Sequence, residues 1–278
     1  MKIIRSKDDL RTLRRSWIFK GERVAVVPTM GALHAGHLSL VDEAKKHADR
    51  VIVTIFVNPK QFNNPEDLDK YPRTEEDDAE KLAPYGIDAI YVPTPDQIYP
   101  DGFATNVRVT GLTEDLEGAH RPGHFDGVAT VVSKLFLQSR ADVACFGQKD
   151  YQQMLLVRRL SEDLDIETEV IGCPTVREDD GLAMSSRNVR LTKEERAIAP
   201  ALKAEMDRAA DAIRRGAEPR VVLDSAKAQI ERAGYNTVEY LELRDAETLQ
   251  PVKDLSRPTR LLAAAMLGDV RLIDNIAV

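Results

Sequence analysis

Two histidines three residues apart mark the stretch whose chemistry is easiest to foresee. His34 and His37 stand in the stretch 24–38, which has the pattern of a buried strand, a glycine-bearing loop and the first turn of a helix. The unpaired N–H groups and the positive dipole end at a helix N-terminus attract anions. Imidazole N–H groups donate hydrogen bonds to phosphate oxygens. The pair therefore predicts a phosphate site, and two ordinary loop histidines are the competing interpretation.

The elements around these histidines predict a parallel α/β sheet. Val24–Val27 is a short β-branched run, typical of a strand covered on both faces, and Pro28 is expected to end its ladder. A helix is predicted to begin near Gly36, and a second buried strand over residues 50–57. Strand, helix and strand form one βαβ unit, and ligands collect beyond the carboxyl ends of such strands.

Amides and acids follow these elements. Asn58 and Gln61 come after the second strand and can recognise hydroxyls or a carboxylate without adding charge, although isolated residues of this kind are equally typical turn formers. Asp77-Asp78 favours a solvated helix face over a magnesium site. Arg121 and His124, in a long loop over residues 93–127, are candidates for phosphate or carboxylate contacts. A helix is predicted to follow over residues 128–137.

The same architecture recurs further along the chain. A strand over residues 142–146 is followed by Gly147 and a helix predicted over residues 150–164. Lys149 adds a positive charge at the helix N-terminus, which suits a triphosphate or a carboxylate. Asp150 is the predicted N-cap, and Gln153 lies one turn on. A capped surface helix that happens to carry a lysine is the alternative.

Composition excludes several classes of protein. The chain has 278 residues, 43% of them hydrophobic and 31% charged, and a net charge of −7, so nucleic acid is not an expected partner. No apolar run approaches the roughly 18 residues of a membrane span, and no secretion signal is recognisable. Cys145 and Cys173, in strand-like runs, are expected to be buried thiols. We expect a cytoplasmic protein without membrane partners.

The last hundred residues have a different pattern. Thr192 with Glu195 predicts a capping box opening a helix to about Arg215, and a second helix is predicted after Pro219. A strand is expected over residues 237–244, and Gly268-Asp269 predicts a hairpin. The predicted fold is α/β, a Rossmann-like parallel-sheet domain over residues 1–175 followed by a smaller α+β C-terminal domain over residues 176–278.

Five ordered stretches carry a family resemblance. His34-Ala-Gly-His37 resembles the His-x-Gly-His motif of the nucleotidyltransferase superfamily, and the longer string Pro28–His37 resembles the pantoate–β-alanine ligase family. Met184-Ser-Ser-Arg187 resembles a shortened Lys-Met-Ser-Lys-Ser motif. Ala183 replaces that motif's first lysine, so Arg187 has to supply the charge. The resemblance covers residues 24–190, in the stretches Pro28–His37, Asn58–Phe62, His120–Val128, Phe146–Gln153 and Pro174–Asn188.

The resemblance implies ATP-dependent condensation of (R)-pantoate with β-alanine to pantothenate, through a pantoyl adenylate, with release of AMP and pyrophosphate. It implies that one set of residues stabilises the reacting phosphates: His34, His37, Lys149, Ser185, Ser186 and Arg187. Whether His37 donates a proton or only binds phosphate stays open. The ATP-binding residues it implies are these six together with Met30, Gly31, Ala32, Leu33, Ala35, Gly36, Gly147, Gln148, Asp150, Val176 and Met184.

The resemblance also implies the remaining ligands. Gln61, Gln153 and Asn58 would bind pantoate, and Gln61 would also lie near β-alanine. Mg²⁺ would arrive with ATP, held by phosphates and water, without a metal site in the protein and without a tightly bound organic cofactor. A homodimer is implied as well. The C-terminal domain is expected to act as a lid that excludes water from the adenylate.

Several other functions are weighed against this interpretation. An adenylyl- or cytidylyltransferase acting on a phosphorylated substrate would tend to carry a cation where this sequence has Gln61 and Gln153. The net charge and the lack of a recognisable RNA-binding domain disfavour a tRNA-charging enzyme. Neither a dinucleotide-binding glycine loop nor a P-loop is present, which disfavours a dehydrogenase or a kinase. A nucleotide-sensing module would bind ATP without releasing AMP.

Overall fold

Six parallel strands form the sheet of the first half of the chain. The computed structural model describes residues 1–252 and 254–278. The strands run in the order β1-β4-β3-β2-β5-β6, and every neighbouring pair is parallel. Their bounds are β1 Lys2–Ile4, β2 Val24–Thr29, β3 Arg50–Ile55, β4 Ala89–Tyr91, β5 Val143–Gly147 and β6 Glu169–Cys173. The predicted Rossmann-like α/β fold is confirmed.

Eight helices connect these strands. They are α1 Lys7–Ile18, α2 Ala35–His47, α3 Pro65–Asp69, α4 Glu75–Leu82, α5 Pro95–Ile98, α6 Glu117–His120, α7 His124–Ser139 and α8 Tyr151–Asp163. Short 3₁₀ turns stand at Pro59–Gln61, Ala83–Tyr85 and Gln148–Asp150. Helix α7 begins four residues earlier than the sequence suggested, at His124, so the long loop before it is shorter than predicted.

The strand β2 runs through Pro28, contrary to the prediction. Its register with β3 continues to Thr29, whose carbonyl accepts a hydrogen bond from the N–H of Phe56. The main-chain groups of Thr29 therefore point towards β3, and those of Pro28 point towards β5. The pairing of β2 with β5 ends at Val26. The N–H that proline lacks would have had no ladder partner on that side, so the ladder to β3 is intact.

Buried aliphatic side chains fix the sheet between its helices. Val24, Ala25, Val26 and Val27 are all fully buried, as expected of a central parallel strand. Helix α2 packs Leu40, Val41 and Ala44 into a core cluster with Ala25, Val27, Val53 and Val143. Cys145 and Cys173 belong to the same cluster and are free thiols, as predicted.

The second unit consists of residues 149–151 and 175–278, and the first of residues 1–148 and 152–174. The second unit has an antiparallel sheet in the order β7-β8-β9, with bounds Thr237–Asp245, Thr259–Leu267 and Val270–Ala277. Its helices are α9 Lys193–Ile198, α10 Ala201–Arg214 and α11 Pro219–Arg232, and a 3₁₀ turn spans Asn188–Arg190. Met206, Ile230, Leu241 and Leu261 lie in its core.

The capping box of Thr192 and Glu195 is confirmed, but the single long helix predicted after it is wrong. The N–H of Glu195 bonds to Thr192 Oγ1, and Glu195 Oε2 accepts from the N–H of Thr192. Helix α9 ends at Ile198 and α10 begins at Ala201. Pro200 lies between them, and proline provides no N–H for a continuous helix.

None of the helices in the described ranges combines the length and apolar character that a membrane span requires.

Candidate active site

His34 and His37 cap the helix α2 with their own side chains. His34 is the N-cap residue, and its Nδ1 accepts a hydrogen bond from the N–H of Gly36 at 3.1 Å. His37 Nδ1 accepts from the N–H of His34 at 3.4 Å. The two ring centroids are 4.2 Å apart. Both imidazoles therefore lie at the helix mouth, and each satisfies one of the N–H groups that a helix start leaves unpaired.

This capping arrangement determines the tautomer of each ring. A neutral imidazole has one N–H donor and one acceptor, and here Nδ1 of each ring is the acceptor. The proton of each neutral ring then resides on Nε2. Both rings consequently present an N–H donor at the positive end of the α2 dipole, as a phosphate-binding site requires.

The turn before these histidines is held by Asp78. We call residues 30–37 the histidine turn. Asp78 Oδ2 accepts from the N–H of Ala32 at 2.9 Å, and Oδ1 accepts from the N–H of Leu33 at 2.7 Å. Gly31 and Ala32 both have positive φ, 82° and 52°, which is an unfavourable conformation for alanine. Two hydrogen bonds to a buried carboxylate therefore maintain a strained backbone.

The expectation of a solvated acidic face is wrong for Asp78 and correct for its neighbour. Asp78 is 0% exposed, whereas Asp77 is exposed. An ideal Cβ at Gly31 would lie 3.0 Å from Asp78 Oδ2, so the close approach of the carboxylate and the positive φ both favour glycine there. Lys81, on the same helix, donates to the carbonyl of Leu33 at 3.0 Å. Helix α4 thus positions the histidine turn, a long-range contact that no local sequence signal indicates.

Asn58 and Gln61 lie together at the carboxyl end of β3. Asn58 Nδ2 donates to Gln61 Oε1 at 3.0 Å and to the carbonyl of Gly127 at 3.0 Å. Asn58 Oδ1 accepts from the N–H of Lys60 and from the hydroxyl of Tyr99. These four bonds use the whole capacity of an asparagine amide. Asn58 therefore orients Gln61, and its predicted contact with pantoate would require one of these bonds to be exchanged.

The amide of Gln61 is oriented by these contacts. Because Oε1 accepts from Asn58, Nε2 points to the thioether of Met30, at 3.1 Å from Sδ. A thioether is a weak acceptor, so a ligand oxygen would compete well for this donor. The contact also joins two predicted site stretches, because Met30 follows β2 and Gln61 follows β3. Burial raises the pKa of Tyr99, which keeps its hydroxyl a donor to Asn58.

Arg121 and His124 support the main chain of Gln61. Arg121 Nη2 donates to the Gln61 carbonyl at 3.3 Å, and His124 Nδ1 lies 2.8 Å from the same oxygen. An ideal Cβ at Gly127 would lie 2.3 Å from the carbonyl oxygen of Lys60. Helix α7 therefore packs directly against the 3₁₀ turn that carries Gln61. Gln153, also predicted to bind pantoate, is half-buried on α8.

Lys149 lies in a 3₁₀ turn, not at the first turn of an α-helix. The turn spans Gln148–Asp150 and α8 begins at Tyr151, so Asp150, the predicted N-cap, is the last residue of the turn and directly precedes the helix. The Lys149 side chain is 19% exposed, and its Nζ lies 3.9 Å from Asp150 Oδ1. Gln148 Nε2 donates to the carbonyl of Gly172, and Gly147 ends β5.

The predicted serine motif closes a short loop in the second unit. We call residues 175–187 the serine loop. The N–H of Met184 donates to the carbonyl of Val176, and Arg177 pairs with Ala183 in an antiparallel bridge. Ser185 Oγ accepts from the N–H of Arg187. Ser185, Ser186 and Arg187 are all half-buried.

Among the residues that the structure describes, no group of three or more His, Cys, Asp or Glu side chains could hold a metal ion.

Comparisons with known proteins show the family of this chain. The family model described as pantoate-beta-alanine ligase matches residues 2–277. The pantothenate synthetase of a Ruegeria species is 60% identical over 276 residues, 99% of each chain. That of Caulobacter vibrioides is 54% identical over 281 residues, covering 99% of this chain and 98% of the relative.

Solved structures are similar over the same length. The pantothenate synthetase of Thermus thermophilus is 43% identical, with a TM-score of 0.92 and 99% of each chain covered. The pantoate-beta-alanine ligase of Francisella tularensis, solved with β,γ-ATP and β-alanine, is 37% identical with a TM-score of 0.85; the match covers 100% of this chain and 97% of that one. The protein therefore belongs to the pantoate–β-alanine ligase family.

Proposed function

We propose that this protein joins (R)-pantoate to β-alanine at the expense of ATP, forming pantothenate, AMP and pyrophosphate. The observation that carries this proposal is the family match over residues 2–277. Its Francisella tularensis relative was solved with a form of ATP and with β-alanine, two of the three substrates that the proposal requires. The site supports it chemically, because the first unit offers N–H donors for phosphate and an oriented amide for a hydroxyl or carboxylate.

The chemistry needs two steps. A carboxylate resists attack by an amine, so the pantoate carboxylate first attacks the α-phosphorus of ATP, a P–O bond breaks and pyrophosphate leaves. Charge accumulates on the phosphoryl oxygens, and fixed donors stabilise it. We assign this task to the Nε2–H groups of His34 and His37, and to Lys149, Ser185, Ser186 and Arg187. The remaining residues of the histidine turn, with Gly147, Gln148, Asp150, Val176 and Met184, would bind the rest of ATP.

In the second step the neutral amine of β-alanine attacks the carbonyl carbon of the pantoyl adenylate. A C–N bond forms, the C–O bond to the phosphate breaks, the amine loses a proton and AMP leaves. Gln61 and Gln153 would hold the pantoyl group, and Gln61 would also lie near β-alanine. Asn58 contributes by fixing the Gln61 amide, since its own groups are all hydrogen-bonded within the protein.

The proposal also covers the metal ion, the oligomeric state and the role of the C-terminal domain. Mg²⁺ would enter with ATP, held by phosphate oxygens and water, and would neutralise part of the triphosphate charge. We further propose that the protein is a homodimer and that residues 176–278 act as a lid domain protecting the adenylate from water.

Product analysis tests this function. Purified protein is incubated with ATP and Mg²⁺, and pantoate and β-alanine are added separately and together. The products are separated by chromatography and identified by mass spectrometry. We expect AMP and pantothenate in equal amounts only when both substrates are present. ATP binding without AMP release would identify a nucleotide-sensing module instead, and a nucleotide joined to a phosphorylated substrate would identify a nucleotidyltransferase.

A further inference from the structure

A side chain of the C-terminal sheet holds the main chain of Lys149. Asn275, on β9, donates from Nδ2 to the carbonyl oxygen of Lys149 at 2.9 Å. Asn275 is 3% exposed, so the bond is shielded from water, and losing it would leave a carbonyl without a substitute partner. Residues 149–151, which we call the lysine segment, group with the second unit although the residues on either side group with the first.

Neighbouring contacts determine which end of the Asn275 amide faces Lys149. Arg260 Nε donates to Asn275 Oδ1 at 2.6 Å, which leaves Nδ2 for the Lys149 carbonyl. The Arg260 guanidinium also lies 3.9 Å from the centre of the Tyr151 ring, a cation–π distance. The Tyr151 hydroxyl donates to the carbonyl of Ala246 at 2.8 Å. The lysine segment is thus attached to this sheet by a main-chain contact and a side-chain contact.

The residue before Asn275 anchors the serine loop. Asp274 is 4% exposed and binds Arg177 through both carboxylate oxygens, at 2.7 and 2.8 Å. Arg177 also donates to the carbonyl of Gly181 within that loop. Asp274 Oδ1 accepts from the N–H of Asn275 at 2.7 Å. Successive residues of a strand point to opposite faces. One dipeptide of β9 therefore holds two separate segments of the sequence, one on each face.

We propose that Asn275 is a positioning residue that sets the place of Lys149 for the reaction with ATP. This inference rests on the proposed function, in which Lys149 stabilises the phosphates. A lysine side chain is long and flexible, so the position of its backbone determines where the ammonium group can reach. A displacement of about 1 Å at a catalytic group can lower a rate by about 10²-fold. No sequence feature indicates Asn275, because the C-terminal residues carry no recognisable motif.

The variant Asn275→Asp tests this role. It preserves the shape and the acceptor for Arg260, but it places an oxygen where the donor to Lys149 stood. We expect the rate of pantoate-dependent pyrophosphate–ATP exchange to fall by about 10- to 100-fold, with little change in KM for pantoate. Asn236→Asp makes the same chemical change at an exposed position of the same unit and should leave exchange unchanged.

A double-mutant cycle with Lys149→Ala distinguishes positioning from general damage. If Asn275 acts through Lys149, adding Asn275→Asp to Lys149→Ala should change the residual exchange rate less than about twofold, whereas independent effects would multiply. Multiplying effects, or an unchanged rate in Asn275→Asp alone, would overturn the inference. If Asn275→Asp does not fold, Asn275→Ser, which removes the amide donor to Lys149, replaces it in the same cycle with the same criteria. A wild-type protein without exchange or AMP release would reject the proposed function, and the inference with it.

Discussion

The Nδ1 atoms of His34 and His37 are both used as helix caps, so the chemistry of the histidine turn depends on Nε2. His37→Ala removes one donor from the site and also one capping interaction of α2. We expect the adenylation rate to fall by about 10²–10⁴-fold, the range usual for a positioned acid, base or proton donor. Single-turnover formation of the pantoyl adenylate measures the effect.

His47→Ala is the matched control for that variant. His47 is in the last turn of the same helix, and its side chain is 39% exposed. We expect an unchanged adenylation rate, because His47 is remote along α2 from the helix mouth. Near wild-type adenylation by His37→Ala would show that His37 is not catalytic.

No local feature of the sequence indicates the role of Asp78. In Asp78→Asn an amide replaces the carboxylate that accepts from both Ala32 and Leu33. One of those N–H groups then faces an NH₂ group, and the turn at Gly31 and Ala32 loses a restraint. We expect the adenylation rate to fall by about 10- to 100-fold, since small displacements of catalytic groups have effects of this size.

Glu76→Gln provides the comparison for Asp78→Asn. It removes the same charge from the same helix at an exposed position. A drop of similar size in both variants would mean that the charge of α4 matters and that the hydrogen bonds to the histidine turn do not.

Among the elements, α7 and the 3₁₀ turn Pro59–Gln61 are in close main-chain contact. Gly127→Ala would place a methyl group 2.3 Å from the Lys60 carbonyl oxygen, so the turn has to shift. Overpacking of this kind costs about 1–3 kcal/mol of folding free energy. Because the turn carries Gln61, we also expect KM for pantoate to rise by about tenfold, measured from initial rates at saturating ATP and β-alanine.

Ala129→Gly separates loss of stability from displacement of Gln61. It removes one methyl group from a fully buried position of the same helix, and it costs about 1 kcal/mol through lower helix propensity and about 1 kcal/mol more through the lost burial. We expect it to lower the thermal midpoint while leaving KM for pantoate unchanged. An unchanged KM for pantoate in Gly127→Ala would contradict the view that α7 positions Gln61.

The elements themselves were largely predictable. Aliphatic runs identified β2, β3 and β5 because a buried parallel strand has a continuous apolar sequence. The β2 ladder across Pro28 was missed, because only the sheet order reveals that the proline faces the end of the β5 pairing. The break at Pro200 was missed as well, since the capping box before it and the periodicity after it suggested one helix.

Within the candidate site, the place of His34 and His37 at a helix start could be predicted, because one stretch of sequence carries both the imidazoles and the helix. Asp78 supports the histidine turn, Tyr99 supports Asn58, and Asn275 supports Lys149. The partners in these three contacts are 41 to 126 residues apart in sequence. Such contacts follow from the fold and have no local signature, so sequence alone could not identify them.

For the molecule as a whole, the proposal requires a metal ion that binds together with ATP. Chelation with excess EDTA should abolish AMP formation, and added Mg²⁺ should restore it fully without refolding, because the proposal places the ion on the phosphates of ATP and on water. Circular dichroism with and without EDTA serves as the control and should not change. Full AMP formation in excess EDTA would contradict the proposed role of Mg²⁺.

The most direct test of adenylate formation is pyrophosphate–ATP exchange measured without β-alanine, in the presence and absence of pantoate. We expect labelled pyrophosphate to enter ATP only when pantoate is present, because reversal of the first step requires the pantoyl adenylate. Exchange without pantoate would contradict the proposed substrate. Lack of exchange under both conditions, together with no AMP release when β-alanine is added, would contradict the two-step reaction itself.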